Sequence, residues 1–142
     1  MGTAAEELIL EYERERVGKD HEMEVHHIAI VDAAAGFDIK SVTLEQSRIQ
    51  TPRYIEVKAV PRISLRFYWT RNEVLTARRL GEWYYLYLLP VGRQGKFITN
   101  ELIIIKNPAV EVLAEPDKWL VEPEVLQCSK RPVSRKENSN VG

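Results

Sequence analysis

The stretch Arg53-Tyr54-Ile55-Glu56-Val57-Lys58-Ala59-Val60 reads as a buried strand that carries two charges. Side chains alternate across a strand, so Tyr54, Glu56 and Lys58 share one face while Ile55, Val57 and Ala59 share the other. The second face is apolar and suits a core. The first sets a carboxylate and an ammonium on neighbouring same-side positions, about 6–7 Å apart by strand rise, within reach of one ligand. A solvated surface pair worth about 0–1 kcal/mol would account for the same two charges.

Asp38 weighs against that plain reading. It lies in Gly36-Phe37-Asp38-Ile39-Lys40-Ser41, an earlier strand-like segment, and antiparallel pairing of the two segments brings it beside Glu56. Hard divalent cations such as Mg²⁺ take oxygen ligands, often one or two carboxylates completed by water and phosphate. A neighbouring lysine can orient the attacking water or stabilise charge on the phosphate. An aspartate followed by Glu-x-Lys is therefore a set suited to cutting phosphodiesters.

Four blocks, Gly36-Phe37-Asp38-Ile39, Arg53-Tyr54-Ile55-Glu56-Val57-Lys58, Trp69-Thr70-Arg71-Asn72-Glu73-Val74 and Trp83-Tyr84-Tyr85-Leu86-Tyr87, together resemble the NO VEIN C-terminal domain family. That family is placed in the PD-(D/E)XK nuclease-like superfamily, and the resemblance runs from about Gly2 to about Pro108. It implies an α/β, restriction-endonuclease-like three-layer core, with a central mixed sheet flanked by helices in αβββαβ order plus extra strands. It also implies Asp38 and Glu56 as metal ligands with the Val57 carbonyl, Lys58 as the catalytic lysine, and Glu6 of Ala5-Glu6-Glu7 as an acid on the first helix. Mg²⁺ is the implied cofactor, with Mn²⁺ able to replace it, and DNA the implied substrate, with RNA as the alternative. A helicase or ATPase partner is implied as well. Phe37 stands where the superfamily's name has proline. The competing expectation is an inactive nucleic-acid-binding or protein-interaction module of the same fold, because a fold does not establish an activity.

A chain of 142 residues suits one domain with a real core. We expect that domain over residues 1–126 and a disordered tail over 127–142, where the chain turns polar, charged and proline-bearing. No apolar run approaches the roughly 20 residues of a membrane span, and the first residues lack a signal-peptide pattern. An intracellular, cytoplasmic location is the expectation. The lone Cys128 excludes an internal disulfide. A net charge of −1 argues against a generally basic nucleic-acid coat protein, yet the charge is unevenly spread. Acids dominate from Glu6 to Glu24, whereas Arg48, Arg53, Arg62, Arg66, Arg71, Arg78 and Arg79 make the centre basic. Such cations can track phosphates or simply be solvated. Arg53, Arg62, Arg66, Arg71 and Asn72 are the expected nucleic-acid contacts, and nothing in the chain decides between monomer and homodimer.

In chain order, a helix is expected from Thr3 or Ala4 to Val17, with Ala5, Leu8, Ile9 and Tyr12 as its apolar stripe, Glu6 on its first turn and Gly18 as its stop. A strand from Glu24 to Asp32 would send His26 and His27 to opposite faces, which makes a zinc site with His21 a poor fit. This strand, the Asp38 strand and the Glu-x-Lys strand form an antiparallel meander. Alternation from Ile63 to Trp69 predicts a further strand, with Tyr68 as a candidate base contact. Thr70-Arg71-Asn72-Glu73 has the form of a capping box opening a helix to Leu80, and capping alone explains Glu73. Glu82–Leu89 is the expected central strand. Phe97–Lys106 follows as another, with Ile103, Ile104 and Ile105 buried, and Pro108–Leu126 is a cover anchored by Trp119.

Overall fold

The computed structural model describes residues 2–133. Its first element is the helix α1, Gly2–Val17, which Gly18 ends at φ +81° with its N–H donating to the Arg14 carbonyl at 3.0 Å. The strands are β1, His26–His27; β2, Ile39–Glu45; β3, Arg48–Pro61; β4, Tyr84–Val91; and β5, Ile103–Lys106. Helix α2, Arg71–Leu80, lies between β3 and β4, and the short helix α3, Pro108–Glu111, follows β5. The strands form one mixed sheet in the order β1-β2-β3-β4-β5. The β3–β4 pair is parallel and the other three are antiparallel.

Strand β3 organises the sheet because it has different neighbours along its length. From Arg48 to Ile55 it pairs antiparallel with β2, and from Tyr54 to Pro61 it pairs parallel with β4 across the α2 crossover. The face predicted to be apolar is the core: Ile55 and Val57 join Tyr85, Tyr87 and Leu89 of β4 against Ala5, Ile9, Leu10 and Val17 of α1. On the other face Val60, Leu86 and Leu88 form a smaller cluster covered by Leu65, Phe67 and Trp119. Residues Tyr84 to Pro90 of β4 are all buried, as a strand covered on both faces requires.

The structure changes several expectations. The stripe of α1 buries Ala5, Ile9, Leu10, Glu13 and Val17, while Tyr12 is exposed, so the helix is rotated by about one position from the reading that paired Leu8 with Tyr12. Because the helix begins at Gly2, Glu6 lies beyond its first turn. The strand expected over Glu24–Asp32 shrinks to His26–His27. The Ile28 and Ala29 N–H groups turn back to the Asp38 carbonyl, and Ile30 and Val31 face solvent. No strand forms over Ile63–Trp69: Leu65 adopts φ +53°, and Leu65 and Phe67 lie across the smaller cluster as a cover. Their alternation is real, but it reflects one packed side rather than a pairing partner. The last strand starts only at Ile103, after a 3₁₀ turn over Thr99–Glu101, and Ile104 faces outward at the sheet edge. The middle of the sheet belongs to β3, with β4 beside it. The C-terminal cover stops at Trp119, beyond which Leu120, Val121, Val125 and Leu126 are exposed. Residues 127–133 hold no helix or strand, and the rest of the expected tail lies outside the described residues. Among the described residues, no helix is long and apolar enough to cross a membrane.

Candidate active site

The site forms where β3 loses its antiparallel neighbour. The register pairs Ile39 with Ile55, so β2 ends one residue short of Glu56 and the N–H of Val57 is left without a strand partner. Asp38 supplies one: its Oδ2 accepts from the Val57 N–H at 2.8 Å. The backbone of Asp38 is itself pinned, its N–H donating to the Ile55 carbonyl at 2.8 Å and its C=O accepting from Ile28 and Ala29 at 2.8 and 3.1 Å. In an extended strand the N–H and C=O of a residue point to the same neighbour, so the Val57 carbonyl shares this open margin.

The loop that delivers Asp38 is clamped to α2 and to the start of β4. Asn72 Nδ2 donates to the Ala34 carbonyl at 3.0 Å, and the Tyr84 hydroxyl donates to the Gly36 carbonyl at 2.9 Å. Gly36 sits at φ +85°, and a Cβ there would lie 2.2 Å from Thr76 Oγ1 on α2. Only glycine meets both demands, a left-handed backbone and a close helix contact.

Glu56 and Lys58 project from β3 towards α2, on the face predicted for them. Lys58 Nζ lies 3.2 Å from Glu56 Oε2 and 2.8 Å from Glu73 Oε1. On the far side of Asp38, the Glu6 carboxylate of α1 meets His27 Nε2 of β1 at 2.7 Å. Glu6, Asp38, Glu56 and Glu73 thus gather around one ammonium and one imidazole. Neighbouring Glu7 is exposed, which singles out Glu6 as the acid of the first helix that faces this cluster.

The electrostatics follow from burial and crowding. Burial first, then the charge of Asp38, pushes the Glu56 carboxyl from its ordinary 4.5 up to about 9. Burial also raises Asp38, from 3.8 to about 6, against the lowering hydrogen bond from Val57, and the Glu6 charge adds to the rise. Because Glu56 holds its proton to higher pH, the Asp38 charge acts on Glu56 while Glu56 is already neutral when Asp38 titrates. Burial alone would lower the Lys58 pKa, but the charges and hydrogen bonds of Glu56 and Glu73 raise it on balance. The cluster is short of positive charge.

Among the described residues no group of three or more His, Cys, Asp or Glu side chains is arranged to hold a metal ion. Mg²⁺ asks for less, since one or two carboxylates with water and substrate oxygens suffice. Asp38, Glu56 and the Val57 carbonyl offer such an all-oxygen set, and two crowded carboxyls with raised pKa values are a setting that a bound cation would relieve. The donor set fits a hard divalent ion.

The arginines named from the sequence are scattered. Arg53 lies on the opposite sheet face, where it donates to Thr43 Oγ1 at 3.0 Å and to the Tyr87 hydroxyl at 2.8 Å, with its guanidinium 4.2 Å from the centre of the Tyr85 ring. Arg62 pairs with Glu101 at the surface. Arg66, Arg71 and Tyr68 are exposed, and the Asn72 amide is used on the Ala34 carbonyl. The histidines go to separate places, His21 against the Ser47 carbonyl at 2.9 Å, His26 to the surface and His27 to Glu6. Sequence reasoning misses His27 and Glu73 as members of the cluster. Glu73 carries a signal, because a helix opening after the Lys58 strand aims its first turn at that strand; the His27 contact is purely tertiary.

No curated protein and no solved structure matches the chain. A sequence family described as protein NO VEIN, C-terminal, matches residues 5–100, a span that holds Glu6, His27, Asp38, Glu56, Lys58 and Glu73. The chain belongs to the NO VEIN C-terminal domain family.

Proposed function

We propose that this domain is a metal-dependent nuclease of the PD-(D/E)XK type, with a restriction-endonuclease-like core, that hydrolyses phosphodiester bonds in DNA. The observation that carries the reading is the convergence of Asp38 and Glu56, both with raised pKa values, beside Lys58 at the open margin of β3. Asp38, Glu56 and the Val57 carbonyl would hold Mg²⁺, with Mn²⁺ as a substitute. Such an ion lowers the pKa of a bound water and offsets charge on the phosphate, an effect worth several kcal/mol.

The residues of the chain supply position and protonation. The Val57 N–H engages one Asp38 oxygen, and the other would serve as the ligand. Lys58 presents an ammonium whose neighbours keep it charged, so it can orient a water or a phosphate oxygen by donating hydrogen bonds. Glu6, held by His27, stands on the other side of Asp38, where it can accept a proton or a hydrogen bond from water.

A second reading, a nucleic-acid-binding or protein-interaction module that does not cut and works beside a helicase or ATPase, draws on a different observation. The Lys58 ammonium is already paired with two carboxylates, and Arg53 is committed to packing on the far face. One assay separates the two. Purified protein is incubated with linear, circular and branched DNA and with RNA, with and without Mg²⁺ or Mn²⁺, beside Glu56→Ala and Lys58→Ala. Metal-dependent cutting lost in both variants supports the nuclease. Cutting that survives in both overturns the residue assignment. Binding that weakens steeply with salt, without cutting, supports the second reading.

A further inference from the structure

A single oxygen of Glu73 serves two structures at once. Glu73 Oε1 accepts from the Thr70 N–H at 3.1 Å, closing the capping box whose other half is the Glu73 N–H donating to Thr70 Oγ1 at 3.2 Å. The same oxygen accepts from Lys58 Nζ at 2.8 Å. Capping does not need the charge, because glutamine serves at this position of a capping box as well as glutamate. The ammonium does. Both side chains are shielded, Lys58 at 16% and Glu73 at 18% exposure, so the pair is not an ordinary solvated contact.

We propose that Glu73 is the positioning residue for Lys58, and that α2 is the common reference from which the lysine and Asp38 are both aimed. The proposal rests on the nuclease reading above and deepens it. Of the two carboxylates on the ammonium, Glu56 has a second duty as a candidate cation holder, which leaves Glu73 as the partner free to keep Lys58 in place. A lysine side chain carries about 2 kcal/mol of rotamer entropy, so an unanchored ammonium would sample positions useless to a water or phosphate at the site. The helix that holds the lysine also seats the Asp38 loop, through Asn72 on the Ala34 carbonyl and through Thr76 against Gly36. A shift of α2 therefore moves both parts of the site together.

The test compares Glu73→Gln, which keeps the cap and removes the charge, with Thr70→Ala, which weakens the cap and keeps the charge. Protein labelled at lysine ¹³Cε is examined by NMR, with the Lys58 signal assigned through Lys58→Arg. The expected result is a rigid Lys58 signal with two distinct Hε protons in the wild type and in Thr70→Ala, and a mobile, averaged signal in Glu73→Gln. In single-turnover cutting with Mn²⁺, Glu73→Gln should be slower by about 10–100-fold, as for other residues that orient a site group. The rates are compared with each protein saturated in Mn²⁺ as judged by calorimetry, because Glu73 also acts electrostatically on Asp38 and Glu56 and its loss should weaken ion binding. A Lys58 signal unaltered in Glu73→Gln overturns the proposal, as does a Thr70→Ala protein that reproduces both the spectral change and the lost rate. If the wild type cuts nothing, the nuclease reading fails, while the NMR comparison still decides whether Glu73 fixes the ammonium.

Discussion

Glu13 and Glu56 are both deeply buried acids, at 0% and 4% exposure, and they sit on opposite faces of the sheet. Glu13, on α1, accepts two hydrogen bonds from Arg16, at 2.8 and 2.5 Å, and one from the Tyr87 hydroxyl at 2.8 Å. Tyr87 accepts in turn from Arg53, which also reaches Thr43, while Arg16 donates to the Val42 carbonyl at 2.6 Å. One carboxylate thus meets the Arg16 guanidinium directly and the Arg53 guanidinium through Tyr87, within one hydrogen-bond network. Glu56 lives beside Asp38 and Glu73 with the Lys58 ammonium in contact. The lesson is one of charge balance. A buried acid with surplus cations is a structural joint, whereas one with surplus acids has room for a cation from outside.

The strongest test of the contrast is to remove the joint. Glu13→Ala removes the buried carboxylate that Arg16 and the Tyr87 hydroxyl share, and should lower stability by about 3–5 kcal/mol in urea denaturation. A loss below about 1 kcal/mol would mean that the network contributes little. Gly36→Ala comes next. Its new Cβ meets Thr76 at 2.2 Å on a backbone at φ +85°, and we expect a loss of about 1–3 kcal/mol together with a displaced Asp38 loop, visible as weakened Mn²⁺ binding.

Glu56→Gln should act in the opposite direction to Glu13→Ala. Metal-free protein at neutral pH should gain on the order of 1–2 kcal/mol, because a group that resists ionisation when folded is replaced by one that never ionises. The sign carries over to pH. Asp38 and Glu56 bind protons more tightly folded than unfolded, at about 6 and about 9 against 3.8 and 4.5. The folded state therefore holds more protons across that window, and metal-free stability falls as pH rises through it. Thermal melts from pH 5 to 9 should show the fall, flattened in Glu56→Gln. Saturating Mn²⁺ at pH 8 should reverse it in the wild type but not in Asp38→Asn. A metal-free protein that gains stability over this range would remove the basis for treating the cluster as cation-deficient. The smallest expected effect is that of Thr70→Ala, about 1 kcal/mol for a lost helix cap.

Parts of this contrast are legible in the amino-acid sequence. The alternation around Glu56 and Lys58 identifies the site face, the capping box locates α2, and the pairing of the Asp38 segment with β3 follows from their strand-like spacing. Those signals are local. The Glu13 network is invisible at that level because it joins α1, β2, β3 and β4 through side chains up to 74 residues apart. For the same reason Arg53, a charge on a strand face shared with apolar neighbours, reads as a phosphate contact, whereas its environment is a threonine hydroxyl and two tyrosines. The apparent strand over Ile63–Trp69 misleads because period-two burial marks any extended segment lying on a surface, with or without a pairing partner. Glu73 is passed over because a capping motif already explains it, although its place on the first turn of α2 points it at the Lys58 strand.

The change of neighbours along β3 has a consequence for how the site comes into being. Its antiparallel half closes with β2 over a span of only about ten residues, a contact that a growing chain can make early. Its parallel half waits for β4, about thirty residues later, and for α2 in between, a slower and less local closure. The hairpin is thus expected to bring the segments of Asp38 and Glu56 together first, while α2, which seats the Asp38 loop and carries Glu73, arrives afterwards. An incomplete chain would own the acids without the helix that seats the aspartate loop and holds the lysine, so the cluster would be complete only in the finished domain.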